Sequence, residues 1–246
     1  MEKAAMYNLH MVKTFIGATE LFQIAQRPHL YKKEVDSGYL LHCLLRELFL
    51  NYSPHPFAIV NDTNSNIELL GYSDKPAEEL KDIAERNRSR KIFDAIDWNR
   101  FSSKPMPSEY LDGSVYDFQL RACPVVRKGR GSDNFKPGAE VDVFLSEVTE
   151  NKDYGNISRE AVYKKWLEDM FNRYDIEIIS NPELTKMKLT RFLRKSTEKN
   201  VKTMTRPDVI FRGKIKIHNG RILSERLRKG FGRHNAFGFG MILLSR

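Results

Sequence analysis

Gly230-Phe231-Gly232-Arg233-His234-Asn235-Ala236-Phe237-Gly238-Phe239-Gly240 stands between an amphipathic run, Arg221 to Lys229, and a final apolar run, Phe237 to Leu244. The first run reads as a short helix and the second as a strand, so the glycines close a helix and open a strand. A dinucleotide fingerprint runs the other way, from strand to helix, and the spacing is not that of a Walker loop. Working back from Gly230, Lys186 to Ile217 reads as a long hairpin turning near Ser196 to Asn200. Ile176 to Ile179 begins a strand, and Ser158 to Tyr174 reads as a helix. Val115 to Val126 alternates as a strand should, while Arg127 to Asn156 is polar and glycine-bearing apart from Val141 to Leu145. Strand, helix, two strands, helix and strand make the βαββαβ unit of ferredoxin-like folds.

The N-terminal half has the same order. Leu9 to Phe15 reads as a strand, and Asp36-Ser37 offers a cap for an amphipathic helix from about Gly38 to Leu50 that Pro54 and Pro56 end. Phe57 to Val60 and Ile67 to Tyr72 flank the turn-forming Asn61-Asp62-Thr63-Asn64-Ser65-Asn66, and Lys75 to Asn87 reads as a second helix. Lys91 to Phe101 is the nearby segment left for the remaining strand. A Pro- and Gly-bearing stretch from Lys104 to Gly113 then separates the halves. The expected fold is α+β, with two tandem ferredoxin-like (RRM-like) βαββαβ domains at residues 1–113 and 114–246.

The length of 246 residues and a hydrophobic content of 41% suffice for ordinary cores, which excludes a disordered chain. Apolar runs such as Tyr39 to Leu50 are broken by His42, Arg46 and Glu47, and no signal-peptide pattern opens the chain. The expectation is a cytoplasmic protein without a membrane partner. Cys43 and Cys123 lie in apolar surroundings, which suits free thiols better than a disulfide framework or a zinc site.

Charge is concentrated at one end. Residues 186–246 carry seventeen Lys and Arg against Glu198, Asp208 and Glu225, a local +14 in a chain of net +9, so the remainder sums to −5. Such asymmetry points to a polyanion, and the Phe residues set among the charges point to a folded surface rather than a tail. If Phe211, Ile215 and Ile217 face the core, then Arg212, Lys214 and Lys216 form a basic ladder at intervals of about 7 Å on the opposite face. Arg191, Arg194 and Lys195 sit toward the hairpin tip. Gly230, Gly232, Gly238 and Gly240 allow φ > 0 and close approach of another chain, with Arg228, Lys229 and Arg233 adding charge to an anion cradle. Structured RNA is the polyanion that this combination of loop and hairpin suits.

Tyr39, His42 and Arg46 are spaced i, i+3 and i+7 on the first capped helix and so share a face. A histidine there can take a proton from a ribose 2′-OH or give one to a leaving 5′-oxygen, and Tyr39 can hydrogen-bond the scissile phosphate. Arg46 can offset charge on the phosphorane. The same spacing also suits a Tyr and a His that serve only the fold. His10, His29, His55, His218 and His234 are scattered, and no acidic pair or His/Cys cluster has metal-ligand spacing. Cleavage is therefore expected to need no metal or other cofactor. The 2′-OH would be the nucleophile, leaving a 2′,3′-cyclic phosphate and a 5′-OH on RNA.

Three stretches resemble the CasE family of CRISPR repeat-processing endoribonucleases from type I-E Cascade systems. Tyr39-Leu40-Leu41-His42 follows a first strand and resembles the family's Tyr-x-x-His. Tyr116-Asp117-Phe118-Gln119-Leu120-Arg121-Ala122-Cys123-Pro124-Val125-Val126-Arg127 resembles its Phe-Arg-Leu-Arg-Ala-Asn-Pro strand. Val209 to Gly213 and Gly230 to Leu244 end in a glycine-rich loop and final strand like the family's own. The resemblance implies tandem ferredoxin-like domains, binding of a CRISPR repeat stem-loop, and cleavage of pre-crRNA at the 3′ base of the stem. It also implies retention of the product crRNA as a subunit of an effector complex such as Cascade. His42 becomes the general base or acid and Tyr39 its partner, while Arg46 rests on the helical face alone. Asn235 stands where the family commonly has a basic residue, and related processing enzymes serve type IV complexes. A cleavage-inactive RNA-binding assembly subunit and a general RNA-binding regulator are the alternatives from other classes.

Overall fold

The computed structural model describes residues 9–26, 37–87, 90–130, 134–150, 157–197 and 200–246. The first half runs β1 (His10–Gly17), α1 (Ala18–Ala25), α2 (Ser37–Phe49), β2 (Phe57–Asp62), β3 (Asn66–Ser73), α3 (Ala77–Asn87), α4 (Arg90–Phe93) and β4 (Ser102–Pro105). Its antiparallel sheet has the order β2-β3-β1-β4, the second-third-first-fourth arrangement of a ferredoxin-like unit. Val12, Ile16, Ile67 and Leu69 alternate onto one face of that sheet and bury against Leu41, Leu44, Leu45 and Leu48 of α2 and Leu80 of α3. The apolar stripe of α2 is therefore sealed beneath the sheet, and its polar stripe is left to face outward.

The second half runs β5 (Val115–Ala122), β6 (Val125–Arg127), β7 (Glu140–Asp142), α5 (Val143–Glu150), α6 (Arg159–Asn172), β8 (Ile176–Ile178), β9 (Glu183–Thr197), β10 (Asn200–Ile217), α7 (Gly220–Lys229) and β11 (Ile242–Ser245). The sheet order is β11-β5-β10-β8, with β9 also paired to β10, so the second strand of the unit is shared between β8 and β9. Ser158 and Asn219 cap α6 and α7 by accepting from the Ala161 and Ile222 N–H groups. Phe118, Leu120, Phe211 and Ile215 bury against Leu167, Phe171, Leu223 and Leu227 of those helices.

The two units close on each other. Leu9, Ala58 and Tyr72 leave the first sheet on its outer face and join the second core, and the Tyr72 hydroxyl donates to the Ile242 carbonyl at 3.3 Å. Among the described residues no helix is long and apolar enough to cross a membrane.

Several elements differ from expectation. Lys91 to Phe101 is not the fourth strand. Ile92, Ala95 and Ile96 are buried in a helical turn and its exit, and the strand is Ser102–Pro105, paired with β1. That edge strand is polar and mostly exposed, so it carries no apolar alternation to read. Helices α1 and α5 were unforeseen; each is eight residues long, too short for a clear apolar period. The last strand begins at Ile242 rather than Phe237, because Asn235–Phe237 forms a 3-10 turn and Gly238 and Gly240 take positive φ. The proposed cap Asp36 and the turn residues Glu198 and Lys199 lie outside the described residues.

Candidate nucleic-acid interface and reactive cleft

The fold sets α2 and the glycine-rich loop face to face. The loop leaves α7 at Gly230, whose φ of 77° ends the helix, and passes through the 3-10 turn against α2. Phe237 of that turn lies 5.5 Å from the His42 ring, nearly edge-on, and 5.8 Å from the Tyr39 ring. The second unit thus supplies one wall of the site that the first unit's helix carries.

Asn235 is the loop's internal fastener. Its side-chain amide donates to the Lys229 carbonyl at 2.8 Å, and it occupies the space that a Cβ on Gly230 or Gly240 would need. A side chain at Gly240 would also come within 2.6 Å of the Phe231 carbonyl oxygen, at a φ of 79°. Both positions therefore demand glycine. From below, Arg121 of β5 makes paired hydrogen bonds of 2.8 Å to the buried Asp208 carboxylate of β10. Its guanidinium stacks 4.3 Å from the Phe239 ring centre, and its carbonyl accepts from the Gly240 N–H at 2.8 Å. Burial would raise the Asp208 carboxyl, but Arg121, Thr190 and Lys188 outweigh it and hold the pKa below the ordinary value.

This tight construction changes the reading of the glycines. The N–H groups of Gly230, Phe231, Phe237 and Gly240 are committed to carbonyls of the fold, and Gly230, Gly238 and Gly240 are buried. The Gly230 and Gly240 N–H groups therefore serve the loop's own fold. Gly232 and Arg233 are exposed, and Arg233 reaches Glu140 at 3.4 Å. Glu140 also meets Arg206 at 3.0 Å and His234 at 2.6 Å; burial works against its ionisation, yet those partners lower its pKa to about 2.

A cleft of about 520 Å³ opens between α2, the segment that leads into β2 and the end of β3. His42, Arg46, His55, Asp74, Arg228 and Ala236 are among its walls. Desolvation, followed by the charges of Arg46 and His55, lowers the His42 pKa below the usual histidine value, so its imidazole is neutral at neutral pH and free to accept a proton. Arg228 pairs with Asp74 across the cleft mouth, joining α7 to the end of β3. Tyr39 is not among the cleft walls. It turns toward Phe237, where burial and the neighbouring Cys43 thiol push its hydroxyl up to about 12.

His55, one of the histidines scattered along the sequence, lines this cleft. No helical spacing ties it to His42, so only folding reveals the pairing. Of the basic ladder, Arg212 and Lys214 are exposed and Lys216 half-buried, opposite the buried Phe211, Ile215 and Ile217. Arg212 donates to Gln119 and Lys214 pairs with Asp117, each at 2.8 Å. Arg191 is exposed on β9, and Lys229 reaches Glu225 at 3.7 Å. The backbones of Arg194 and Lys195 pair with Lys202 and Val201, and their side chains lie outside what is described. Among the described residues no three His, Cys, Asp or Glu side chains gather to hold a metal ion.

The model of the CRISPR associated protein family matches residues 18–246. The chain belongs to that family. The comparison with curated proteins returns no match. Among solved structures, this CRISPR-associated chain is similar to Thermus thermophilus Cse3 bound to an RNA representing a pre-cleavage complex. The TM-score is 0.65 and identity 13%, over 98% of this chain and 100% of that one. It is similar to a CRISPR endoribonuclease Cse3 bound to a 19-nucleotide RNA, with a TM-score of 0.62 and 13% identity over 96% and 100% of the two chains. A chain of a CRISPR RNA-guided surveillance complex in a pre-nicking state gives a TM-score of 0.60 at 13% identity over 96% and 99%. At such identities the likeness is one of fold, and it covers both ferredoxin-like units.

Proposed function

We propose that this chain is an endoribonuclease that binds a CRISPR repeat stem-loop and cuts pre-crRNA by attack of a ribose 2′-OH, without a metal ion. The observation that carries this reading is the His42 cleft. A half-buried imidazole, neutral near physiological pH, stands beside a guanidinium in a space sized for a phosphate and its sugar. In this reading His42 takes the 2′-OH proton and Arg46 offsets the charge of the five-coordinate phosphorane. Tyr39 acts through Phe237, holding the loop turn against His42. The products are a 2′,3′-cyclic phosphate and a 5′-OH.

Residues 1–113 would carry the cutting helix and residues 114–246 the RNA grip. Arg212, Lys214 and Lys216 lie along one sheet face and Arg191 on the hairpin, which suits the phosphate backbone of a stem. Arg194 and Lys195 extend that surface toward the hairpin tip, and Arg228, Lys229 and Arg233 flank the loop. Retention of the product as a subunit of a Cascade-type complex is supported by the likeness to a chain of a surveillance complex. The test is a repeat RNA carrying 2′-deoxyribose at the cut site. Cleavage should stop while binding persists, and continued cutting would overturn attack by the 2′-OH.

A further inference from the structure

His42 accounts for one proton. An in-line displacement at phosphorus places the attacking and leaving oxygens on opposite sides, so one imidazole on one wall cannot serve both. The cleft offers a second protic group on a different element. His55 precedes β2, and its N–H donates to the Tyr72 carbonyl at 2.7 Å while the Tyr72 N–H donates to the Pro56 carbonyl at 3.0 Å. Those bonds fix the backbone that presents the ring to the cleft that His42 also lines.

We propose that His55 is the general acid of this reaction, giving its proton to the departing 5′-oxygen while His42 takes the proton of the attacking 2′-OH. The role rests on the endoribonuclease reading above. The 2′-oxygen forms its bond to phosphorus, the bond to the 5′-oxygen breaks, and the electron pair of that bond leaves on the oxygen that His55 protonates. His42 ends protonated and His55 neutral, and exchange with water restores both.

The surroundings favour this division of labour. Tyr39, the other protic group singled out on α2, is not a cleft wall and packs against Phe237 instead. The charged groups around the two rings are Arg46, Arg228 and Asp74, the last two paired with each other. Desolvation and Arg46, opposed by a backbone hydrogen bond of its own, lower the His55 pKa as they lower that of His42, so holding a proton on His55 takes a counter-charge. An entering phosphodiester brings a negative charge that opposes Arg46 and helps the ring carry its proton.

The test compares the natural repeat RNA with one in which a bridging sulfur replaces the 5′-oxygen at the cut site, since a thiolate leaves without protonation. With His55→Ala and His55→Asn, single-turnover cleavage of the natural RNA should slow by about 10²-fold or more. Stem-loop affinity should be unchanged, the sulfur substrate should be cut near the unaltered rate, and the descending limb of the pH profile should vanish. His42→Ala should be slow on both substrates. Equal slowing of both substrates by the His55 variants, or no slowing of either, would overturn the role. If the unaltered protein cuts neither RNA, the underlying endoribonuclease reading fails and this role falls with it.

Discussion

Phe237 of the glycine-rich loop meets His42 of α2 edge-on, with ring centroids 5.5 Å apart and planes at 76°. The contact joins the two ferredoxin-like units beside the cleft, so the glycine-rich loop fixes the ring that the proposed function makes the base. Phe237→Ala removes an aromatic pair of about 0.5–1.5 kcal/mol. The expected result is a three- to tenfold slower single-turnover cleavage with stem-loop affinity preserved, read by gel-based kinetics beside a binding titration.

Arg46 adds to desolvation in lowering the His42 pKa. Its charge is the largest influence after desolvation that lowers the His42 pKa, so replacing it by Gln should raise that pKa. A base works only when unprotonated. The acid limb of the pH profile of kcat/KM should therefore have its midpoint below 6.5 in the unaltered protein and move to higher pH in Arg46→Gln. An unmoved limb would separate Arg46 from His42.

The Arg121–Asp208 pair beneath the loop is a stability device. Arg121→Ala leaves the Asp208 carboxylate, 3% exposed, without its principal partner and should destabilise the fold by about 3–5 kcal/mol. Because the folded Asp208 pKa is depressed below 3.8, its contribution is fully present above the unfolded value and lost as pH falls through the folded one. Chemical denaturation of the unaltered protein should show that loss below about pH 4, and Arg121→Ala should lack it.

In the proposed function the basic ladder carries the electrostatics of binding. Lys214→Ala removes an exposed cation and should lower the slope of log affinity against log salt by about one while leaving the cleavage rate at saturation unchanged. A titration across salt concentrations measures the slope, and an unaltered slope would place the RNA on another face.

What the sequence made legible follows from period and punctuation. The alternation of Tyr116, Phe118 and Leu120, the apolar stripe of α2 and the glycines after Lys229 each express local geometry, and both βαββαβ units could be read from them. The strand Ser102–Pro105 was hidden because an exposed edge needs no apolar residues. His55 was hidden for a different reason. Its position beside His42 depends on how the segment before β2 returns along β3, a long-range fact with no spacing to reveal it. The positions of the glycines are legible, but the commitment of the Gly230 and Gly240 N–H groups to the Arg226 and Arg121 carbonyls is not, because tertiary packing fixes it.

The most direct measurement is incubation of the CRISPR repeat RNA of the source organism with the unaltered protein and with His42→Ala, in chelator, followed by analysis of the product ends. The unaltered protein should yield one cut with 2′,3′-cyclic phosphate and 5′-OH ends, and His42→Ala should bind the stem-loop and yield no product. Undiminished cutting by His42→Ala, or products with 3′-OH and 5′-phosphate ends, would contradict the role given to the His42 cleft.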